Sequence, residues 1–249
     1  MKAMLLRVGI DKGVWPNRVS DGAYSPIFVD GSFEFIPKSE ETRYPKTQLN
    51  SIDFSAYPTY KEVIGRTGKP LAYYLPKRLW ERHPHLDPEF ETFTYGDHTV
   101  KRRYLLKLDQ GDLLVFYAGL TPYHTKKRAE GLYIVGYLTV EKVIDFDSLS
   151  QREIHRIKKA YPHNAHFRAG SDLRGLVLVV GNRHQSRLLD KAIPLTQPKR
   201  ARDGRYYQAV SLEMQRKLGL KGSVQKSVPP RFITGESYFR NLRSILREG

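Results

Sequence analysis

The sequence predicts a single α+β domain with a β-rich centre and flanking helices. Two apolar runs, 113–120 and 132–140, are rich in aliphatic and aromatic residues and bounded by turn signals, as buried strands are. Strand-like and helix-like segments do not alternate regularly, which argues against a βαβ array. The 249 residues are 40% hydrophobic and 12% aromatic, enough for a real core, with no internal repeat or low-complexity linker to divide it.

Residues 3–10 read as a first strand. Asp30-Gly31 between the β-prone runs 27–29 and 32–36 predicts a hairpin closed by a type I′ turn. Residues 37–70 read as mostly irregular, and 71–75 as a short strand. Asp109 to Asp112 is a turn that leads into the strand at 113–120, and a strand over 132–144 pairs with it. Ser150-Gln151-Arg152-Glu153 is a capping box with Leu149 and Ile154 as a hydrophobic staple, so a helix starts there and runs to about residue 160. A buried strand over 175–181 follows, then a short helix over 185–192. Ser211 caps a helix that Gly219 ends. The last helix starts near Glu236, with Tyr238, Phe239, Leu242, Ile245 and Leu246 on one face and Arg240, Arg243 and Arg247 on the other.

Lys and Arg number 42 against 26 Asp and Glu, a net +16. From residue 199 to the end there are 12 basic and 4 acidic residues, so half of the excess sits in the last fifth. The densest piece carries Lys199, Arg200, Arg202 and Arg205 and reads as a basic hairpin or loop that lies along phosphates. Arg231 follows a stiff Pro229-Pro230 pair. This balance points to a polyanion, with nucleic acid favoured over a merely solvated surface. The absence of cysteine excludes disulfides, thiolate catalysis, zinc fingers and iron–sulfur clusters. No apolar run reaches the roughly 18–20 residues of a membrane span, and no secretory pattern opens the chain, so the expected location is cytoplasmic.

Gly65 to Pro70 has the wrong spacing for a phosphate loop, and no dinucleotide or hydrolase-elbow motif is present. Two polar clusters remain. His83-Pro84-His85-Leu86-Asp87 places residues 83, 85 and 87 on one side of an extended segment, where two imidazoles and a carboxylate can hold a divalent metal or move protons. It also reads as a surface loop. His163, His166 and Arg168 follow the capped helix and read either as a base or phosphate contact or as a polar helix terminus. Should the two clusters meet in space, they form a credible metal site. Asp11, Asp30, His83, His85, Asp87, His163, His166 and Arg168 are the candidates for chemistry, with Asp87 or His85 as base or metal ligand. Tyr117, Tyr123 and Tyr137, around the central strand pair, with His163, are candidates for stacking on a base, though strand tyrosines more often belong to a core.

Residues 5–13 with 24–37, then His85-Leu86-Asp87-Pro88, then 111–120 with 133–137, together resemble the nucleotide modification associated domain 3 family over roughly residues 1–233. The resemblance implies a role near DNA or nucleotide base modification in prokaryotes and phages. The middle, Gly111-Asp112 with its strand and then Ile134-Val135-Gly136-Tyr137, is similar to the barrel core of PUA-like domains of the EVE and ASCH branches, which border a nucleic-acid groove. That likeness implies a barrel-like mixed sheet over about 104–210; the residue pattern itself sets the basic amphipathic helix apart at 234–249.

Three functions follow. The first is a nucleic-acid-binding protein, DNA favoured, that recognises a base, modified or not, with Lys199, Arg200, Arg202, Arg205, Arg231, Arg240, Arg243 and Arg168 on phosphates. The second is an enzyme of base or nucleotide modification built on Asp11, His85, Asp87 and His166, with a divalent metal as its only cofactor candidate, on His83, His85 and Asp87. The third is a basic scaffold that contacts a protein through the 238–246 apolar face.

Overall fold

A computed structural model describes residues 1–10, 25–44, 47, 49, 52–55, 57–167, 172–224 and 229–249. The apolar runs become the middle of a mixed eight-stranded sheet. β1 (Ala3–Arg7) lies parallel to β4 (Leu113–Pro122), with Ala3 opposite Leu113. β4 pairs antiparallel with β5 (Gly131–Asp145). The far edge of β5 is divided: β7 (Arg187–Pro194) pairs with Tyr133 to Tyr137, and β6 (Val177–Gly181) with Val140 to Asp145. β3 (Thr94–Asp97) adds outside β6, β10 (Arg231–Ile233) outside β1, and the two-residue β2 (Pro26–Ile27) beside the end of β4. Because β1 and β4 are covered on both faces, they read as unbroken apolar runs rather than alternating ones. Gly136 marks a close approach: a Cβ there would stand 2.9 Å from the Phe90 ring and 3.0 Å from Arg187 O.

Among the described residues the sheet is open, with β10 and β3 as its ends. The barrel-like closure that the PUA-like resemblance implies is not formed. β5 changes neighbour between Tyr137 and Val140, each pairing carries one register shift, between Ile134 and Gly136 and between Val140 and Lys142, and β10 occupies the outer edge of β1.

The local signals set the helices. α1 (Arg102–Leu105) is a single turn. In α2 (Gln151–Ala160), Ser150 and Glu153 form the reciprocal capping box, and Ile154, Ile157 and Tyr161 pack with Leu149 on a side cluster around Phe146, Leu176 and Leu178. Ser211 Oγ accepts the Met214 N–H at 3.2 Å to start α3 (Leu212–Leu218), and Gly219, at φ 68°, ends it. α4 (Glu236–Glu248) buries Phe239, Leu242, Ile245 and Leu246 in the main core. Tyr238, expected on that face, stays 37% exposed, because its ring lies over Gly219 at the end of α3. No helix among the described residues is long and apolar enough to cross a membrane.

Three local expectations are corrected. The 27–36 hairpin forms, but its loop has three residues: Gly31 N–H reaches Phe28 O at 3.0 Å, Phe28 N–H reaches Ser32 O at 2.8 Å, and only Gly31 has positive φ. That is a turn followed by a glycine bulge, not type I′. Leu71–Tyr74 is a 3₁₀ turn entered from Pro70, which buries Leu71, Ala72 and Tyr74 and meets no partner strand. The expected helix over 185–192 is instead β7, since the open edge of β5 takes its backbone hydrogen bonds and overrides local preference.

Candidate functional site

Five segments enclose a pocket of about 320 Å³. They are the end of β1 with Val8 and Gly9, the stretch from Lys38 to Thr42, the extended 83–88 segment, β3 with the loop to Lys101, and the 3₁₀ turn Ala165–Phe167.

His85 is held from behind. Its N–H donates to Lys38 O at 2.7 Å, and its Nδ1 meets Glu40 Oε2 at 2.5 Å, with the Glu40 side chain wholly buried. A carboxylate only accepts, so Nδ1 carries the proton and Nε2 faces the pocket. There Nε2 lies 3.8 Å from Asp87 Oδ2. Asp87 turns inward because its own N–H reaches back to His85 O at 2.7 Å, a tight turn around Leu86. The Asp87-Pro88 peptide is cis. The Gly96 N–H of β3 donates to both Asp87 oxygens, at 3.2 and 3.3 Å.

His166 arrives from the other end of the chain. Buried Asn164 donates through Nδ2 to Thr94 Oγ1 at 2.9 Å and accepts the His166 N–H at 2.9 Å, which ties the turn to β3. His166 Nε2 then lies 3.0 Å from Gly96 O and 3.4 Å from Asp87 Oδ2. The His85 and His166 rings meet edge to face, centroids 4.9 Å apart. One ligand atom each from His85, Asp87 and His166 all lie within 4.8 Å of one another. The two polar clusters, far apart in sequence, meet.

The rim carries charge of both signs. Asp97 accepts from Thr99 N at 2.7 Å and Tyr95 OH at 3.0 Å, and pairs with Lys101 at 3.4 Å. Burial pushes its carboxyl up, but Lys101 and the Thr99 and Tyr95 bonds outweigh this and hold it below the usual carboxylate value. Arg7, Lys38 and Lys101 line the same pocket. The arrangement can move protons, hold a cation on two imidazoles and a carboxylate, and place basic side chains beside a phosphate.

The other candidates lie elsewhere. Asp11 and Arg168 fall outside the described residues. His83 does not share the pocket: its Nδ1 meets Glu41 at 2.9 Å and its ring stacks on Phe54, which hold it away from His85 and Asp87. His163 is exposed and pairs with Glu91 at 3.3 Å. Tyr117, Tyr123, Tyr137 and His163 are not brought together. Tyr117 is core, its OH donating to Val224 O at 2.8 Å, because the continuous burial of β4 leaves no open face. Tyr137 packs on that core, and Tyr123 sits among Phe28, Tyr74 and His124. A hydrogen bond to Tyr73, with burial, pushes the Tyr123 hydroxyl up to about 12. Asp30 is a turn residue that accepts from Ser32. Lys199, Arg200, Arg202 and Arg205 stand exposed on a separate ribbon, β8 (Thr196–Arg200) with β9 (Tyr206–Val210). Arg231 donates to Lys221 O, and Arg240 and Arg243 point outward from α4.

Sequence reasoning missed Glu40, Arg7, Lys38 and Asp97. Glu40 lies in a polar, irregular stretch where nothing local distinguishes it from a solvated glutamate.

A family model described as nucleotide modification associated domain 3 matches residues 2–225. The chain belongs to this family. Nucleotide modification associated domain 3 thus contains His85, Asp87, His166, Glu40 and the basic ribbon, while α4 lies beyond the match. Membership links the chain to nucleotide modification. Comparison with the curated proteins and with the solved structures finds no match.

Proposed function

We propose that the chain is an enzyme of nucleotide or base modification whose chemistry runs in the His85–Asp87–His166 pocket. The observation that carries this reading is the convergence of two sequence-distant polar clusters in one pocket, with three basic side chains on its wall. In the enzyme reading Arg7, Lys38 and Lys101 hold the phosphate of a nucleotide. His85, held from behind by buried Glu40, and His166 present their imidazoles to the reacting base or sugar. Asp87, fixed by the Gly96 N–H, orients the group that reacts.

A second reading, binding of nucleic acid, is favoured by the exposed Lys199, Arg200, Arg202 and Arg205 on the β8–β9 ribbon. It combines with the first if the modified nucleotide sits in DNA docked on that ribbon. The test of the enzyme reading is mass spectrometry of nucleosides from cells that express the protein, on both the DNA and the free nucleotide pool. A nucleoside of new mass is expected with the wild type and not with Asp87→Asn. The same nucleosides with and without the protein, or with both forms of it, would refute it.

A further inference from the structure

We propose that His85 Nε2, Asp87 Oδ2 and His166 Nε2 bind one divalent transition-metal ion, with Glu40 as the outer carboxylate that orients His85. The proposal names what the pocket of the enzyme reading holds, and its test needs no nucleotide, so the two can fail separately.

The donor set comes first. Two imidazole nitrogens and one carboxylate oxygen suit manganese, iron, cobalt or zinc, whereas magnesium and calcium take oxygen ligands. Geometry agrees. Ligand atoms about 2.0–2.2 Å from one ion stand roughly 3–3.5 Å from each other. His166 Nε2 is already 3.4 Å from Asp87 Oδ2 and His85 Nε2 is 3.8 Å from it, while the two histidine ligand atoms lie within 4.8 Å of each other, so closure draws the imidazoles together by at most about 1.3 Å.

The surroundings are those of a ligand shell. Metal-bound histidines donate their other ring N–H to a carboxylate or carbonyl, which fixes the ring and raises its basicity. Glu40 does this for His85 at 2.5 Å. Asn164 fixes the His166 backbone, and the Gly96 N–H fixes Asp87. In the arrangement described, a proton on His166 Nε2 points toward Gly96 O and Asp87 Oδ2. An arriving ion takes the place of that proton. Among the described residues the site offers three protein ligands, the number found in catalytic rather than structural sites. His83, two residues from His85, is excluded by its contacts with Glu41 and Phe54.

The experiment is titration of the chelator-stripped full chain with Mn²⁺, read by electron paramagnetic resonance. One ion per chain is expected. Affinity should fall about 10–100-fold in Glu40→Gln, as outer-shell changes do. Binding should be lost in Asp87→Asn and His166→Gln and unchanged in His83→Gln. Circular dichroism checks that each variant folds. Spin-echo modulation from imidazole nitrogens on wild-type protein gives a readout that needs no variant. No saturable binding, no nitrogen modulation, or equal binding by folded Asp87→Asn and His166→Gln would overturn the proposal.

Discussion

Replacing Gly96 with alanine should displace His166 without removing a polar group from the pocket. A Cβ at Gly96 would stand 2.6 Å from His166 Cδ2, 3.0 Å from Nε2 and 3.2 Å from Leu176 Cδ1. Carbon atoms in contact ordinarily sit about 3.5–4.0 Å apart, so the ring must retreat by roughly 1 Å. It has little room: His166 is 3% exposed, and its backbone is bonded to Asn164. Overpacking of this kind costs about 1–3 kcal/mol. For a chain of this length each kcal/mol lowers Tm by about 2–4 °C, so a fall of about 2–12 °C is expected by calorimetry. The same retreat carries Nε2 away from Asp87, and a misplacement of about 1 Å can cost about 100-fold in activity. The nucleoside product and Mn²⁺ binding should therefore fall along with Tm. A variant that melts within about 1 °C of wild type and binds Mn²⁺ equally would refute the reasoning, since the clash would then have been relieved without moving His166.

Tyr117→Phe should lower stability by about 1–3 kcal/mol in denaturant melts, because it leaves the buried Val224 carbonyl without its partner, and should not change nucleic-acid binding. Asp112 is depressed despite its burial, through hydrogen bonds from Lys2 and the Asp109 N–H. Its contribution is therefore full above the ordinary carboxylate pKa of about 3.9 and is lost as pH falls through the lower folded value. The stability gap between wild type and Asp112→Asn should hold above about pH 5 and shrink below about pH 4; a gap that widens with acid would contradict this sign. Replacing Arg200, Arg202 and Arg205 with alanine should flatten the slope of log K against log salt for duplex DNA by about 0.9 for each phosphate no longer neutralised, measured by fluorescence polarisation; an unchanged slope would remove the ribbon from the interface.

The sequence alone determined what local physics decides. Ser150 and Glu153 cap α2 because their partners are three residues away, Gly219 ends α3 because a left-handed residue is needed there, and 113–120 and 132–140 are strands because nothing else buries such runs. It also singled out His85, Asp87 and His166, whose residue types suit metal or proton chemistry wherever they lie. Tertiary structure alone decided what depends on partners far along the chain. Residues 187–194 became a strand because β5 had a bare edge. Among the described residues the sheet stayed open, with β10 and β3 as its ends. Tyr117 was claimed by Val224, and His83 by Glu41 and Phe54. The meeting of His166 with Asp87 spans 79 residues, and the buried Glu40 behind His85 spans 45. No local pattern encodes such a contact, because its free energy comes from groups that become neighbours only when β3, the 83–88 segment and the 165–167 turn pack together.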